Sequence, residues 1–145
     1  VSYRDQLRFD LRRDEGEKLK AYPDPLTKAE PWTIGVGHTG PEVHEGMEIE
    51  PHESSLYLEQ DIADAELDAR KLLPHFDGLS EARQRAMVNM AFNLGYRRLA
   101  GFSNTIRAIN EGRWADAAKG MRQSLWARQV GPRAERLAVL MEKGV

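Results

Sequence analysis

Glu15, Asp24 and Thr33 follow one another at intervals of nine residues, and Thr33 lies in the run Trp32-Thr33-Ile34-Gly35-Val36-Gly37-His38. Cleaving a glycosidic bond takes an acid to protonate the leaving oxygen and a second group to stabilise the oxocarbenium-like centre or ready a water. Two carboxylates and a hydroxyl are parts for that task, and the chemistry expected here is that of a glycosidase. Linear spacing leaves the carboxylate separation open. A gap of about 6.5–9.5 Å admits water and inverts the sugar, whereas about 5–5.5 Å suits a covalent, retaining route. Thr33 favours the first, because a hydroxyl both donates and accepts and with Asp24 could hold one water in line.

Gly35 and Gly37 alternate within this run, and glycine inside a strand often marks close approach of a ligand or another backbone. On that ground Gly35 is a candidate substrate contact. His38 has no second ligand at a recognisable metal-binding spacing, so no metal is expected. Its expected role is structural, an imidazolium tying the sheet to a long helix through Asp61. His44, His52 and His75 are expected at the surface.

These side chains need elements to hold them. Leu7 and Leu11 among charged residues from Ser2 to Asp14 predict a short first helix ending near Gly16, which puts Glu15 at a helix end. Between residues 18 and 50, Pro23, Pro25 and Pro31 and then Gly35, Gly37, Gly40 and Gly46 separate short β-prone pieces, predicting a small antiparallel sheet with irregular turns. From Pro51 the apolar spacing is helical until Pro74 stops it. Beyond it, Ser80 is expected to cap a helix over 81–94 and Ser103 one to about Glu111, followed by helices from Arg113 to Leu125 and Pro132 to Glu142. The fold expected is α+β and mainly helical. A sheet-bearing lobe (about 16–50) is joined by a helix (about 51–73) to a helical lobe (about 74–145), near which helix 2–14 packs. The active-site cleft is expected between the lobes, all within one domain.

At 145 residues the chain is long enough for one domain core, and with no cysteine it has neither disulfides nor thiolate metal sites. Val1 to Glu17 holds no apolar stretch long enough for a signal peptide or membrane anchor, so neither export by the usual route nor membrane insertion is expected. The net charge of −2 conceals an asymmetry. Residues 1–96 carry 11 basic and 19 acidic side chains (net −8), and residues 97–145 carry 10 and 4 (net +6). A basic C-terminal part suits a polyanion, either nucleic acid or an anionic cell wall, while Arg and Lys simply coating helix surfaces would look the same. No nucleic-acid reading motif accompanies the charge, so no specific nucleic acid is expected as a partner.

The stretch from Asp14-Glu15-Gly16 through Leu19-Lys20-Ala21-Tyr22, Asp24 and the Trp32 to His38 run resembles the phage-type lysozymes, the T4-like endolysins. Asn89-Met90-Ala91-Phe92-Asn93-Leu94-Gly95, Ala100 to Thr105, Arg113 to Ala118, and Trp126 with Gln129, Arg133 and Arg136 resemble the same family in the same order, so the likeness covers nearly the whole chain. The resemblance implies hydrolysis of the β-1,4 bond between N-acetylmuramic acid and N-acetylglucosamine in peptidoglycan, without a cofactor, by a monomer. It implies Glu15 as general acid, with Asp24 and Thr33 placing the attacking water. Phe92 and Asn93 match residues of the opposite cleft wall, and Trp126 and Gln129 join them as candidate substrate-binding residues. His38 with Asp61 matches a supporting ion pair, and Arg133 an arginine reaching toward the glutamate. The turn of residues 25–32 is longer than in the T4-like pattern. A phage endolysin of this kind would stay in the host cytoplasm until a holin-type pore released it to the wall. Two other readings are a lytic transglycosylase, which forms 1,6-anhydro ends and needs no positioned water, and a virion-associated wall-degrading module.

Overall fold

A computed structural model describes residues 2–145 as an α+β protein whose Cα framework divides into two compact units, residues 8–63 and residues 2–7 with 64–145. The division runs through the first helix, α1 (Tyr3–Glu15), and through the long α2 (Pro51–Leu72). In α1, Asp5 in the first turn and Arg12 and Arg13 in the last oppose the helix dipole. Leu7 and Leu11, one turn apart, are both fully buried. Gly16 then takes φ +74° and returns its N–H to the Arg12 carbonyl, the left-handed ending that glycine accepts at no steric cost.

The 8–63 unit contains one antiparallel sheet ordered β1 (Lys18–Tyr22), β2 (Thr33–Gly35), β3 (His38–Thr39). Tyr22 pairs with Thr33, Thr33 with Thr39 and Ile34 with His38, and the β1–β2 register shifts between Lys18 and Tyr22. The glycine run is therefore a hairpin, where the sequence suggested a single strand. Gly35 and Gly37 both adopt φ near +63°, which turns the chain back on itself after three residues. Ala21, Ile34, Val43 and Ile49 form the core beneath the sheet, with Trp32, Met47 and Tyr57 packed against it. The Arg8 guanidinium grips both Glu59 carboxylate oxygens at 2.6–3.0 Å, joining α1 to α2 inside this unit.

The other unit is helical. After a 3-10 turn at Phe76–Gly78 come α3 (Glu81–Ala100), α4 (Ser103–Asn110), α5 (Trp114–Arg122), α6 (Leu125–Val130) and α7 (Pro132–Lys143). Ser80 caps α3 as expected, accepting from the Arg83 N–H at 3.2 Å. Gly95, at φ 77° and ψ 168°, kinks α3 where the sequence suggested its end, and one more helical turn follows. Ser103 is the first helical residue of α4 and does not cap it. Phe102 holds the cap position, its ring set edge-on against Trp126. The expected helix from Arg113 to Leu125 stops at Arg122. Ser124 then caps the short α6 by accepting from the Ala127 N–H at 3.1 Å. Met87, Met90, Met121 and Met141 fill the core together with alanines that let the helices approach closely. Among the described residues no helix is long and apolar enough to cross a membrane.

Candidate active site

Glu15 is the last residue of α1, half-buried, and the β2–β3 turn lies directly against its side chain. A Cβ added to Gly37 would come within 2.8 Å of Glu15 Oε1, 3.0 Å of Cδ and 3.1 Å of Cγ. Bare backbone at Gly37 is what lets the carboxylate sit there. At the end of β1, the Tyr22 hydroxyl hydrogen-bonds with the Thr33 side chain, as their strand pairing allows. Burial, and then the negative charge of Glu15, raise the Tyr22 phenol above its ordinary pKa of 10.0, with the Thr33 bond acting in the opposite sense. Glu15, Tyr22 and Thr33 thus share one electrostatic neighbourhood in which the phenol stays neutral and able to donate.

Asp24 follows two residues after Tyr22. Its Oδ1 accepts the N–H groups of Leu26 at 2.8 Å and Thr27 at 3.1 Å, an Asx turn that opens the 25–32 segment. Its backbone closes the same turn, donating to the Ala29 carbonyl at 3.0 Å and accepting from the Lys28 N–H at 2.8 Å. Among the described residues Oδ2 accepts no hydrogen bond, so one oxygen anchors the loop while the other faces away from that work.

His38 and Asp61 meet as expected, with Nδ1 2.7 Å from Asp61 Oδ2. His38 is buried, and its ring stacks on Tyr57 at 4.0 Å between centroids and places Nε2 2.6 Å from Glu42 Oε1. Burial pulls its pKa down, but the Glu42 and Asp61 bonds together outweigh burial and raise it above the ordinary 6.5. Gly40 makes room for this second carboxylate, since a Cβ there would lie 2.5 Å from Glu42 Oε2. Gly35 is buried, and the space beside its α-carbon is taken by Ser54 Oγ of α2, 3.1 Å from where a Cβ would stand. The close approach at Gly35 is therefore to another element of the protein.

The remaining candidates belong to the helical unit. Phe92 and Asn93 are half-buried neighbours on α3, and the Trp126 indole N–H donates to Asn93 Oδ1 at 2.7 Å. Gln129 is exposed and accepts from the Arg98 guanidinium at 3.2 Å. Trp126 and Gln129 line a pocket of about 370 Å³ with Leu94, Arg98, Phe102 and Leu125. Arg133 is buried and donates from Nε to Asn89 Oδ1 at 3.0 Å. The sequence singled out Gly37 for a close approach, and its neighbour is the Glu15 side chain, but it assigned no role to Tyr22, Glu42 or Tyr57. The aromatic residue two before Asp24 was the one available signal among them.

A glutamate ending the first helix, with a hydroxyl pair on the adjoining sheet and an aspartate in the turn that leaves its first strand, in a mainly helical chain, makes an α+β protein of the lysozyme class. The family model for phage lysozyme matches residues 12–143, and the chain belongs to that family. It is 30% identical to the probable T4-type lysozyme 1 of Dictyostelium discoideum, an alignment covering 92% of each chain. The endolysin of Salmonella phage P22 is 39% identical over 69% of this chain and 67% of its own length. The pre-baseplate central spike protein of Enterobacteria phage T4 is 33% identical over 92% of this chain, which spans 27% of that longer protein.

Proposed function

We propose that this chain, acting as a single lysozyme domain, hydrolyses the β-1,4 bond between N-acetylmuramic acid and N-acetylglucosamine in peptidoglycan. Glu15 serves as general acid, delivering its proton to the glycosidic oxygen as the bond breaks. Asp24, through Oδ2, and Thr33 hold the attacking water on the opposite face, so the new end forms with inverted configuration. Tyr22 keeps the Thr33 hydroxyl oriented by their shared hydrogen bond. The observation that carries this reading is the seating of the Glu15 carboxylate against the bare Gly37 backbone, in the same neighbourhood as Tyr22 and Thr33.

Host-cell lysis after release through a separate membrane pore is the biological role this activity fits. A second reading, as the wall-degrading module of a longer virion protein, is favoured by the match to about a quarter of the T4 spike protein. Digestion of purified peptidoglycan tests the chemistry. The wild-type protein yields reducing muramic-acid ends that have gained one water and are initially α-configured, and Glu15→Gln yields none while keeping its circular dichroism spectrum. Anhydro ends from the wild type, or clearance by Glu15→Gln at the wild-type rate, would refute the mechanism.

A further inference from the structure

Glu17 has no part in the chemistry above, yet its carboxylate is bonded to two helices. It stands between the left-handed Gly16 that ends α1 and the first residue of β1. Its Oε2 accepts from the Ser54 hydroxyl at 2.6 Å, and its Oε1 accepts from Arg12 Nε at 3.3 Å. Arg12 Nη2 donates in turn to the Ser55 hydroxyl at 3.3 Å, which closes a ring of four side chains from α1, the α1–β1 corner and the start of α2. The Ser54 bond is the strongest member, with the length of a hydroxyl donating to a charged oxygen. Ser54 is fully buried, so Glu17 also spares the protein an unsatisfied donor.

Ser54 carries this hold to the hairpin. A Cβ added to the buried Gly35 would stand 3.1 Å from Ser54 Oγ and 3.7 Å from its Cα, so the end of β2 rests directly on that side chain. Gly35 is also the strand partner of Lys18, the residue after Glu17. Two residues beyond Gly35 comes Gly37, against which the Glu15 side chain is seated. The contacts make a circuit within the 8–63 unit: Glu17 to Ser54, Ser54 to Gly35, Gly35 through the turn to Gly37, and Gly37 to Glu15, two residues before Glu17. Without its acceptor, the Ser54 hydroxyl can rotate back to the Glu50 carbonyl one helical turn earlier, which takes away the backing of Gly35.

We propose that Glu17 is a positioning residue for the Glu15 general acid: by holding the Ser54 hydroxyl against Gly35, it fixes the β2–β3 turn on which the Glu15 carboxylate rests. This role rests on the glycosidase reading. It acts on the rate of bond cleavage and leaves binding of the glycan strand as it is.

The test measures kcat and KM for release of reducing ends from soluble, uncross-linked peptidoglycan strands, with urea unfolding alongside. About 1 Å of misplacement can cost on the order of 100-fold, and a loosened turn that lets the carboxylate drift by roughly half of that costs about tenfold. Glu17→Ala and Ser54→Ala are therefore each expected to lower kcat about tenfold with KM unchanged, and the double variant to be no slower than either alone. Glu17→Gln keeps an oxygen that can accept from Ser54 and is expected to recover most of the lost kcat. Glu59→Ala cuts the other tie between α1 and α2, the Arg8 pair, and is expected to lose stability while keeping the wild-type kcat. Wild-type kcat in either Glu17→Ala or Ser54→Ala overturns the proposal, and Ser54→Ala decides alone if Glu17→Ala does not fold. A kcat loss of the same size in Glu59→Ala overturns it as an effect of general stability, and a raised KM in place of a lowered kcat overturns it in favour of strand binding. If the wild type releases no reducing ends, the glycosidase reading falls and this role with it; an active wild type beside an unimpaired Glu17→Ala removes the positioning role alone.

Discussion

Replacing Gly37 with alanine separates two effects that glycine has at this turn. The first is conformational. At φ +64° a Cβ crowds the backbone, and the left-handed region costs a non-glycine residue roughly 1–2 kcal/mol. The second is positional. The new Cβ would stand 2.8 Å from Glu15 Oε1, 3.0 Å from Cδ and 3.1 Å from Cγ. Non-bonded carbon contacts settle at about 3.5–4.0 Å, so the side chain must retreat by roughly 0.5–1 Å, and the short Cγ contact means that rotating the carboxylate alone does not relieve it. A displacement of about 1 Å can cost on the order of 100-fold in rate. Gly46 provides the control, because it has φ +86° and nothing within 4 Å of its added Cβ. Denaturant unfolding is expected to show both Gly37→Ala and Gly46→Ala destabilised by about 1–2 kcal/mol. Release of reducing ends from peptidoglycan is expected to fall about 100-fold for Gly37→Ala and to stay near wild type for Gly46→Ala. Equal activity in the two variants would refute the argument that the turn sets the position of Glu15.

The His38 cluster makes stability depend on pH. Its raised pKa gives a contribution complete below 6.5 and lost as pH rises through the folded value, while Glu42, lowered by its His38 bond, contributes fully above 4.5 and less as pH falls through its own folded value. The stability gap between wild type and His38→Asn, measured by urea unfolding, is therefore widest between about pH 4.5 and 6.5; a gap that does not vary with pH contradicts the coupling. In the helical unit, Trp126→Phe removes the donor to Asn93 Oδ1 and is expected to cost about 1–3 kcal/mol. Combining it with Asn93→Leu should cost less than the sum of the single changes, and strict additivity in that double-mutant cycle would argue against the bond.

The parts of the fold legible in the sequence were those set by local chemistry. Leu7 and Leu11 ahead of Gly16 marked α1, Pro51 and Pro74 bracketed α2, and Ser80 announced α3. Where long-range contact outranked local preference, the reading failed. Ser103 has the chemistry of a cap, but the Phe102 ring resting on Trp126 sets where α4 begins. The six-residue α6 was too short to show periodicity, even though Ser124 stood in place to cap it. The glycine run alternates like a strand, and only its two positive φ values make it a hairpin. At the candidate site, spacing suggested Glu15, Asp24, Thr33 and the His38–Asp61 contact. Tyr22, though it stands two before Asp24, takes its role from its register with Thr33, and Glu42 takes its role by reaching His38 across a turn.

Tyr3 hydrogen-bonds Glu66 and meets the Phe76 ring edge-on, and Arg4 pairs with Glu66 at 3.3 Å, all inside the unit that resumes at Asp64. Tyr3 and Arg4 thus find these neighbours only after some sixty more residues have been made. Residues 8–63 form an unbroken stretch of chain and can close as soon as α2 emerges, whereas the helical unit must wait for its last helix and for its opening segment together. During synthesis, the segment carrying Glu15, Asp24 and Thr33 would be assembled first.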